Sequence, residues 1–469
     1  MNTRKSCLIA VGFLVALPLA FQFVHLISLM KREQTMSWYD SEEYTTPRPV
    51  QNDNTEGIPG ETRLQFQISK VIDDHSSSRK NKVILLGPHD RYNFGDLIFS
   101  KVVAKLLTSR AGYGHEDIVY GGLVSVNMSA YGGPASVLSM KELQNRSQTD
   151  DLHGPYDIIY TGGEVMGCNH NCGVGMMQTP ELRAQAQREK SYDCAYLFPK
   201  QLLLPEHLNF SKSLNFAVGN SLGGSGRRGI PACWEAIKTA DHAVYRDGNP
   251  LYPDSAVMMK ELFADKINKV GKDVVHDLFH TRTGNVRKFV AVQYNGRKQA
   301  HTNSTLQMNL ASGLDEVARG LNATIVFFAA GTCPGHDSFA TYESVASFMN
   351  EEAIVYKAEN MWKVVGLISR AEAVLSTSLH VRIMAFIHFK PRLTWCDGSK
   401  HADFISKWDT NTSTPCVLNE TLTWNLLTKH YYTDPEMSRT FATTKYDETV
   451  HMYLKSFSNY SVLLRPPAQ

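Results

Sequence analysis

Short apolar runs alternate along most of this chain with stretches whose apolar residues recur at helical spacing. Lys82-Val-Ile-Leu-Leu86 reads as a buried parallel strand, closed by a polar loop from Gly87 to Phe94. From Asp96 to Leu107 the residues Leu97, Ile98, Val102, Val103, Leu106 and Leu107 fall at helical spacing. Tyr156-Asp-Ile-Ile-Tyr160 is a second strand, followed by Thr161-Gly162-Gly163-Glu164. Leu214 to Val218 is a third, followed by the Gly-rich loop Gly219 to Gly229. His242 to Tyr245 reads as a short fourth, ending in Arg246-Asp247. After a polar junction near Lys272 to Arg287 the pattern restarts, with strands at Lys288–Gln293, Ala323–Ala329, Ala353–Tyr356 and Ala371–Leu375.

Strands alternating with helices predict parallel sheets covered on both faces. Two such series predict an α/β chain of two doubly wound, Rossmann-like domains facing a cleft, residues 81–271 and 272–430. Residues 431–469 form a C-terminal helical extension. In such sheets ligands bind outside the carboxyl ends of the strands, where every polar loop named above lies.

Before this comes a different pattern. Cys7 to Met30 is a run of 24 residues without Asp, Glu, Lys or Arg. That is long enough for a helix to cross a bilayer core. A cleaved signal peptide has a shorter apolar core and a small-residue cleavage site, and Pro18 disfavours the best candidate site, after Ala20. The reading is therefore a tail over residues 1–6, a signal anchor over 7–30 and a polar, Pro-bearing stem over 31–80. Flanking charge does not orient the anchor, because Arg4 and Lys5 balance Lys31 and Arg32. Eight Asn-x-Ser/Thr sequons do, at Asn127, Asn145, Asn209, Asn303, Asn322, Asn411, Asn419 and Asn459. They place the large domain on the lumenal side, as in a single-pass type II membrane glycoprotein.

Composition adds little else. The 469 residues carry a net charge of +2, with no basic or acidic tract of the kind that binds nucleic acid. Seven of the eight cysteines follow the anchor, compatible with three disulfides and one free thiol. Cys168-Asn-His170-Asn-Cys172 lacks the second ligand pair of a structural zinc site, so disulfides are the better reading and no metal is expected. The chain has no Asp-x-Asp, which counts against a metal-dependent nucleotide-sugar enzyme.

Several loops carry candidate chemistry. Gly87-Pro88-His89-Asp90-Arg91-Tyr92-Asn93-Phe94-Gly95-Asp96 is unusually polar for a turn and a helix cap, though it serves as both. Gly162-Gly163 permits close approach to the backbone, or simply packs. Ser221 to Arg228 reads equally as a phosphate cradle or a surface loop. Ser376-Thr377-Ser378-Leu379-His380-Val-Arg382 follows a strand and opens an apolar helix. It reads either as an anion site, with His380 as acid or base, or as a Ser/Thr cap with a packed histidine.

In order, Asn93-Phe94-Gly95-Asp96, Gly162-Gly163, Arg246-Asp247 ahead of Pro253-Asp254-Ser255-Ala256, and Ser378-Leu379-His380 resemble the polysaccharide pyruvyltransferase family, from about Lys82 to Arg392. The resemblance implies a fold like that of type B glycosyltransferases. It implies transfer of the enolpyruvyl carbons of phosphoenolpyruvate to sugar hydroxyls of a glycan acceptor, usually as a ketal, with release of phosphate and no cofactor. Arg246 matches the family's Arg-Asp motif, and Leu379 and His380 match the end of its Arg-Leu-His motif. Donor contacts are thus expected from Arg246, Ser378, Leu379, His380 and Arg382. Catalysis is expected from His380 with Asp96 or Glu164, and cleft contacts from His89, Asn93, Gly95, Gly162 and Gly163. The family's Arg before Leu-His is Ser378 here, which removes a bidentate contact. Arg382, four residues on and on the same helix face, is expected to replace it. This departure keeps a nucleotide sugar open as an alternative donor, and a non-catalytic glycan-binding protein open as an alternative role. Anchor and stem together match the architecture of a Golgi-resident glycan-processing enzyme.

Overall fold

The structure, a computed structural model, describes residues 81–147, 156–163, 165–189, 192–198, 210–215, 230–246, 251–279, 288–295, 303–396, 399–409 and 423–461. The expected tail, anchor and stem lie outside these residues. Among the described residues no helix is long and apolar enough to cross a membrane.

Among the described residues two five-stranded parallel sheets form the frame. In the first, β1 (Lys82–Leu86), β2 (Ile118–Gly122), β3 (Val137–Ser139), β4 (Tyr156–Tyr160) and β5 (Phe210–Asn215) lie in the order β3-β2-β1-β4-β5. The second holds β6 (Phe289–Gln293), β7 (Thr324–Phe328), β8 (Ala353–Tyr356), β9 (Ala373–Ser376) and β10 (Arg392–Thr394), in the order β10-β9-β6-β7-β8. Read from β8, the second order repeats the first. Each sheet is doubly wound, and each reverses direction beside its first strand, at β1/β4 and at β6/β9.

The central strands are buried and mostly apolar, with polar residues such as Lys82, Gln293 and Thr324 at their ends, as parallel sheets covered on both sides require. Five helices position the site: α1 (Phe94–Arg110), α2 (Met259–Phe279), α3 (Met361–Arg370), α4 (Leu379–Ile387) and α5 (Pro435–Ser461). The largest apolar cluster crosses between the halves: Val83 and Leu97 share it with Val326, Leu379 and Phe386.

Four expectations need correction. Among the described residues His242 to Tyr245 forms no strand: His242 and Tyr245 each sit in an isolated bridge, Tyr245 with Leu251, and Val244 and Tyr245 pack into two different clusters. The third strand begins at Phe210, before Leu214. Strands β2, β3 and β10 were not anticipated, being short or ending in glycine. A boundary at 271/272 also fails. Helix α2 runs through it, because Ile267, Val274 and Leu278 continue one buried stripe, and α2 packs against α3 of the second half.

Candidate functional site

The loop leaving β1 meets the loop leaving β7. Asn93 bridges to Gly331, and the Phe94 N–H donates to the Ala330 carbonyl at 2.8 Å. The carboxyl ends of the two sheets therefore face each other, and the residues between them define the candidate site.

Asn93 caps α1, its side chain accepting the Gly95 N–H at 3.1 Å. The next turn is pressed against α4. A Cβ on Gly95 would lie 2.1 Å from His380 Nδ1, so only glycine admits the imidazole there. His380 is the second residue of α4, behind Ser378 at the cap position, whose side chain makes no capping bond. The ring stands edge-on to Phe99 and Phe94, with centroids 5.2 and 6.5 Å away. The N-terminus of α4, whose cap residue makes no side-chain bond, thus converges on one imidazole with that of α1, whose Phe94 and Gly95 N–H groups are already taken by the Ala330 carbonyl and Asn93; both ends carry positive partial charge.

On its other side His380 Nε2 lies 3.6 Å from Asp254 Oδ2, beyond hydrogen-bond length but within ion-pair distance. Asp254 also pairs with Arg246 at 3.1 Å and accepts the Ala256 N–H at 2.9 Å. Burial pushes the Asp254 carboxyl up, but His380, Arg246 and the Ala256 amide outweigh it and hold it at about 2. The carboxylate is thus a fixed negative charge behind the imidazole. Asp254 stood within a motif read from the sequence but had no role there. Its pairing with Arg246 and His380 is visible only in three dimensions.

Gly162 and Gly163 follow β4 with φ of 120° and 103°, a backbone that excludes other residues. Gly163 packs on Pro88 and the Asp96 carboxylate. Asp96 is buried and pairs with Arg91 at 3.1 Å. Arg91 donates to the Tyr196 hydroxyl at 2.5 Å, and Tyr196 to Asp90 at 3.1 Å. Arg91 is therefore a buried cation of the switch-point loop that the sequence reading left without a role. Glu164 lies outside the described residues, as do Asp247 and Ser221 to Arg228.

On the second sheet Gln293, at the end of β6, ties the neighbouring loops together. Its Nε2 donates to Asp337 at 2.7 Å, and its Oε1 accepts the Thr377 and Ser378 N–H groups at 3.1 and 2.9 Å. Asp337 in turn accepts the Ala330 N–H at 2.6 Å and the Gly331 N–H at 3.3 Å, bracing the joint to the first half. Burial pushes its carboxyl up to about 6 against these bonds. A cavity of about 640 Å³ opens here, lined by Asn295, Gln307, Thr332, His336, Ser338 and Thr341 among others. His380 does not line it. His336, on its wall, approaches Asn93 at 3.5 Å.

Two expected site residues point elsewhere. Arg382 is fully buried and donates to Asp409 at 2.9 Å and to Thr394 at 3.0 Å. Arg392 binds the same carboxylate. The shared helix face with Ser378 holds, but Asp409 fixes the guanidinium away from the α4 N-terminus, so Arg382 does not replace the missing arginine. His89 is also no cleft residue. It is wholly buried beside Tyr120, and burial pushes its imidazole down to about 3. Leu379 is buried in the shared core, and Arg246 is buried with its guanidinium on Asp254. The site thus brings together Asn93, Gly95, Asp96, Gly162, Gly163, Arg246, Ser378 and His380, and adds Arg91, Asp254, Gln293 and Asp337.

The five described sequon asparagines, Asn127, Asn145, Asn303, Asn322 and Asn459, are all exposed. Cys194 and Cys233 form a disulfide, and Cys396 is disulfide-bonded as well.

The class this geometry defines is an α/β protein of two doubly wound halves whose strand ends face each other. No family model matches the chain, and no curated protein matches it. Solved structures to which the chain is similar include the UDP-GlcNAc 2-epimerase from Neisseria meningitidis bound to UDP-GlcNAc, 11% identical, covering 82% of this chain and 99% of that one, TM-score 0.45. Another is the UDP-GlcNAc 2-epimerase from Methanocaldococcus jannaschii, 12% identical, covering 75% and 91%, TM-score 0.44. A third is a family 9 glycosyl transferase from Veillonella parvula, 10% identical, covering 69% and 83%, TM-score 0.33. At these identities and TM-scores the likeness says nothing about what this chain acts on.

Proposed function

We propose that the protein is a glycan-modifying transferase of type B glycosyltransferase-like fold, lumenal in the Golgi, that moves pyruvate from phosphoenolpyruvate onto sugar hydroxyls as a ketal. One observation carries the reading: His380 stands where the N-termini of α1 and α4 converge, backed by the Asp254 carboxylate. Such a place suits a compact, highly charged anion and supplies an imidazole to move its protons.

In this reading phosphoenolpyruvate lies against the start of α4. His380 delivers a proton to its methylene carbon, which becomes a methyl group, while a sugar hydroxyl adds to the neighbouring carbon. A second hydroxyl displaces phosphate and closes the ketal. Of the two hydroxyl protons, one replaces that given by His380 and the other leaves with phosphate. Asp96, or Glu164, receives a hydroxyl proton, and the buried Arg246–Asp254 pair orients His380. Phosphoenolpyruvate is made in the cytosol, so a lumenal enzyme needs a carrier for it.

The test is incubation of the purified protein with phosphoenolpyruvate and galactosides. Release of phosphate together with added pyruvyl mass on an acceptor is expected, strongly reduced in a folded His380→Ala variant. No release and no added mass on any acceptor would sink the reading.

Arg382's engagement with Asp409 favours one second reading, a metal-independent transferase using a nucleotide sugar. Without a guanidinium from that position, the donor's charge rests on His380 and helix ends. A thermal-shift comparison of phosphoenolpyruvate with nucleotide sugars separates the two, because a bound donor stabilises the folded state. Stabilisation by neither, with measurable glycan binding, points instead to a non-catalytic glycan-binding protein.

A further inference from the structure

The sulfurs of Cys168 and Cys172 lie 3.0 Å apart, with the Cys168 thiol donating to Cys172. The turn that carries them is firmly built. Asn169 caps the short helix His170–Gly175, and its side chain accepts the Cys172 N–H at 2.8 Å. The Cys168 carbonyl accepts the Ala195 N–H at 3.0 Å, and the His170 N–H donates to the Asp193 carbonyl at 2.8 Å. Little movement is needed to bring the two sulfurs to bonding distance. Their exposure differs: Cys168 is buried and Cys172 is exposed. The Cys194–Cys233 disulfide beside them is buried at both ends.

We propose that Cys168 and Cys172 are a redox-active dithiol, distinct from the buried disulfide, that closes reversibly by exchange with a small-molecule disulfide such as oxidised glutathione. The exposed Cys172, as thiolate, attacks one sulfur of the small disulfide and releases one thiol. Cys168 then loses its proton and attacks the Cys172 sulfur, releasing the second thiol. Two electrons pass from the protein sulfurs to the small disulfide, and the two protein protons end on the two released thiols. The bond to Cys172 and then burial push the Cys168 thiol up, and the exposure of Cys172 makes it the attacking sulfur. The pair sits on the turn that holds Ala195, next to Tyr196, whose hydroxyl meets Arg91 and Asp90. Closure therefore ties down a partner of the switch-point loop. The inference does not depend on the transferred group proposed above.

The experiment is a redox titration of the full chain in glutathione buffers of graded poise, followed by alkylation of free thiols and peptide mass mapping. The expected result is a bond between Cys168 and Cys172, seen as a loss of about two mass units, at oxidising poise. Both cysteines should be alkylated at reducing poise, while Cys194–Cys233 stays closed. In Cys172→Ser, Cys168 should gain neither glutathione nor a protein partner. Three results overturn the proposal: both thiols free at the most oxidising poise, separate glutathione adducts without closure, or a Cys168–Cys172 bond that opens only when Cys194–Cys233 opens.

Discussion

The imidazole of His380 fills the space that a side chain on Gly95 would need, with its Nδ1 atom 2.1 Å from where that Cβ would stand. One contact thus joins the first helix of one half to the late helix of the other. It also sets apart two effects of a small substitution. Gly95 sits in the first turn of α1, where alanine is the better helix former. Gly95→Ala therefore tests packing rather than backbone strain. Overpacking here is expected to cost about 1–3 kcal/mol and to displace His380. Thermal unfolding should show the loss, and transfer activity should fall further than stability does. An alanine variant as stable and active as the parent would mean that the two halves are free to separate at this contact.

Arg382 provides the second test. Its side chain is 0% exposed and shares Asp409 with Arg392, so its work is structural. Burial opposes the Asp409 anion, but the two guanidinium groups hold its carboxyl below the usual range. Asp409→Asn removes the carboxylate charge that both buried guanidinium groups share and is expected to cost about 3–5 kcal/mol. Arg382→Met should cost less, because Arg392 remains on Asp409. In folded Arg382→Met, donor binding followed by calorimetry should be unchanged. A large loss of donor affinity without loss of stability would return Arg382 to the site.

Much of this frame was legible in the sequence. β1, β4 and β8 carry compact apolar runs, and their observed bounds are those read from the pattern. β2 escaped because its run ends in Gly121 and Gly122, which pack closely against Leu86 and Asp90 rather than supplying side chains of their own. The site was legible as motifs but not as pairings. Spacing placed Arg382 on the face of Ser378, yet its direction is set by Asp409, far along the chain. Asp254 drew no role, because nothing local reveals that Arg246 and His380 both turn toward it. His89 looked like a loop residue open to a ligand, and only the fold shows the ring turned inward.

The charge on Asp254 gives a pH signature. Its carboxyl is held at about 2 in the folded protein, against an ordinary 3.8. A depressed acid contributes stability that is fully present above the unfolded value and is lost as pH falls through the folded one. The contribution is about 2 kcal/mol, lost between about pH 4 and pH 2. Chemical unfolding across that window should show the decline. Asp254→Asn should flatten it, while lowering stability at neutral pH by removing the charge that faces Arg246 and His380. Equal slopes in both proteins would show that another acid carries the effect.

Asp337 works in the opposite direction. Burial raises its carboxyl from 3.8 to about 6, although Gln293 and the Ala330 and Gly331 amides favour the anion. A raised acid binds its proton more tightly when folded, so its stability is present below the unfolded value and is lost as pH rises through the folded one. The loss is about 3 kcal/mol between about pH 4 and pH 7. Because Asp337 braces the amides that meet Asn93 and Phe94, ionisation should loosen the joint between the halves first. The check is hydrogen exchange at Phe94, Ala330 and Gly331 across that range, alongside global unfolding. Exchange at these amides should quicken as pH rises, beyond the intrinsic increase seen at reference amides in β6. Asp337→Asn should remove the excess, since it keeps an oxygen to accept from the amides and has no proton to lose. If the excess persists in Asp337→Asn, the ionisation of Asp337 does not govern the joint.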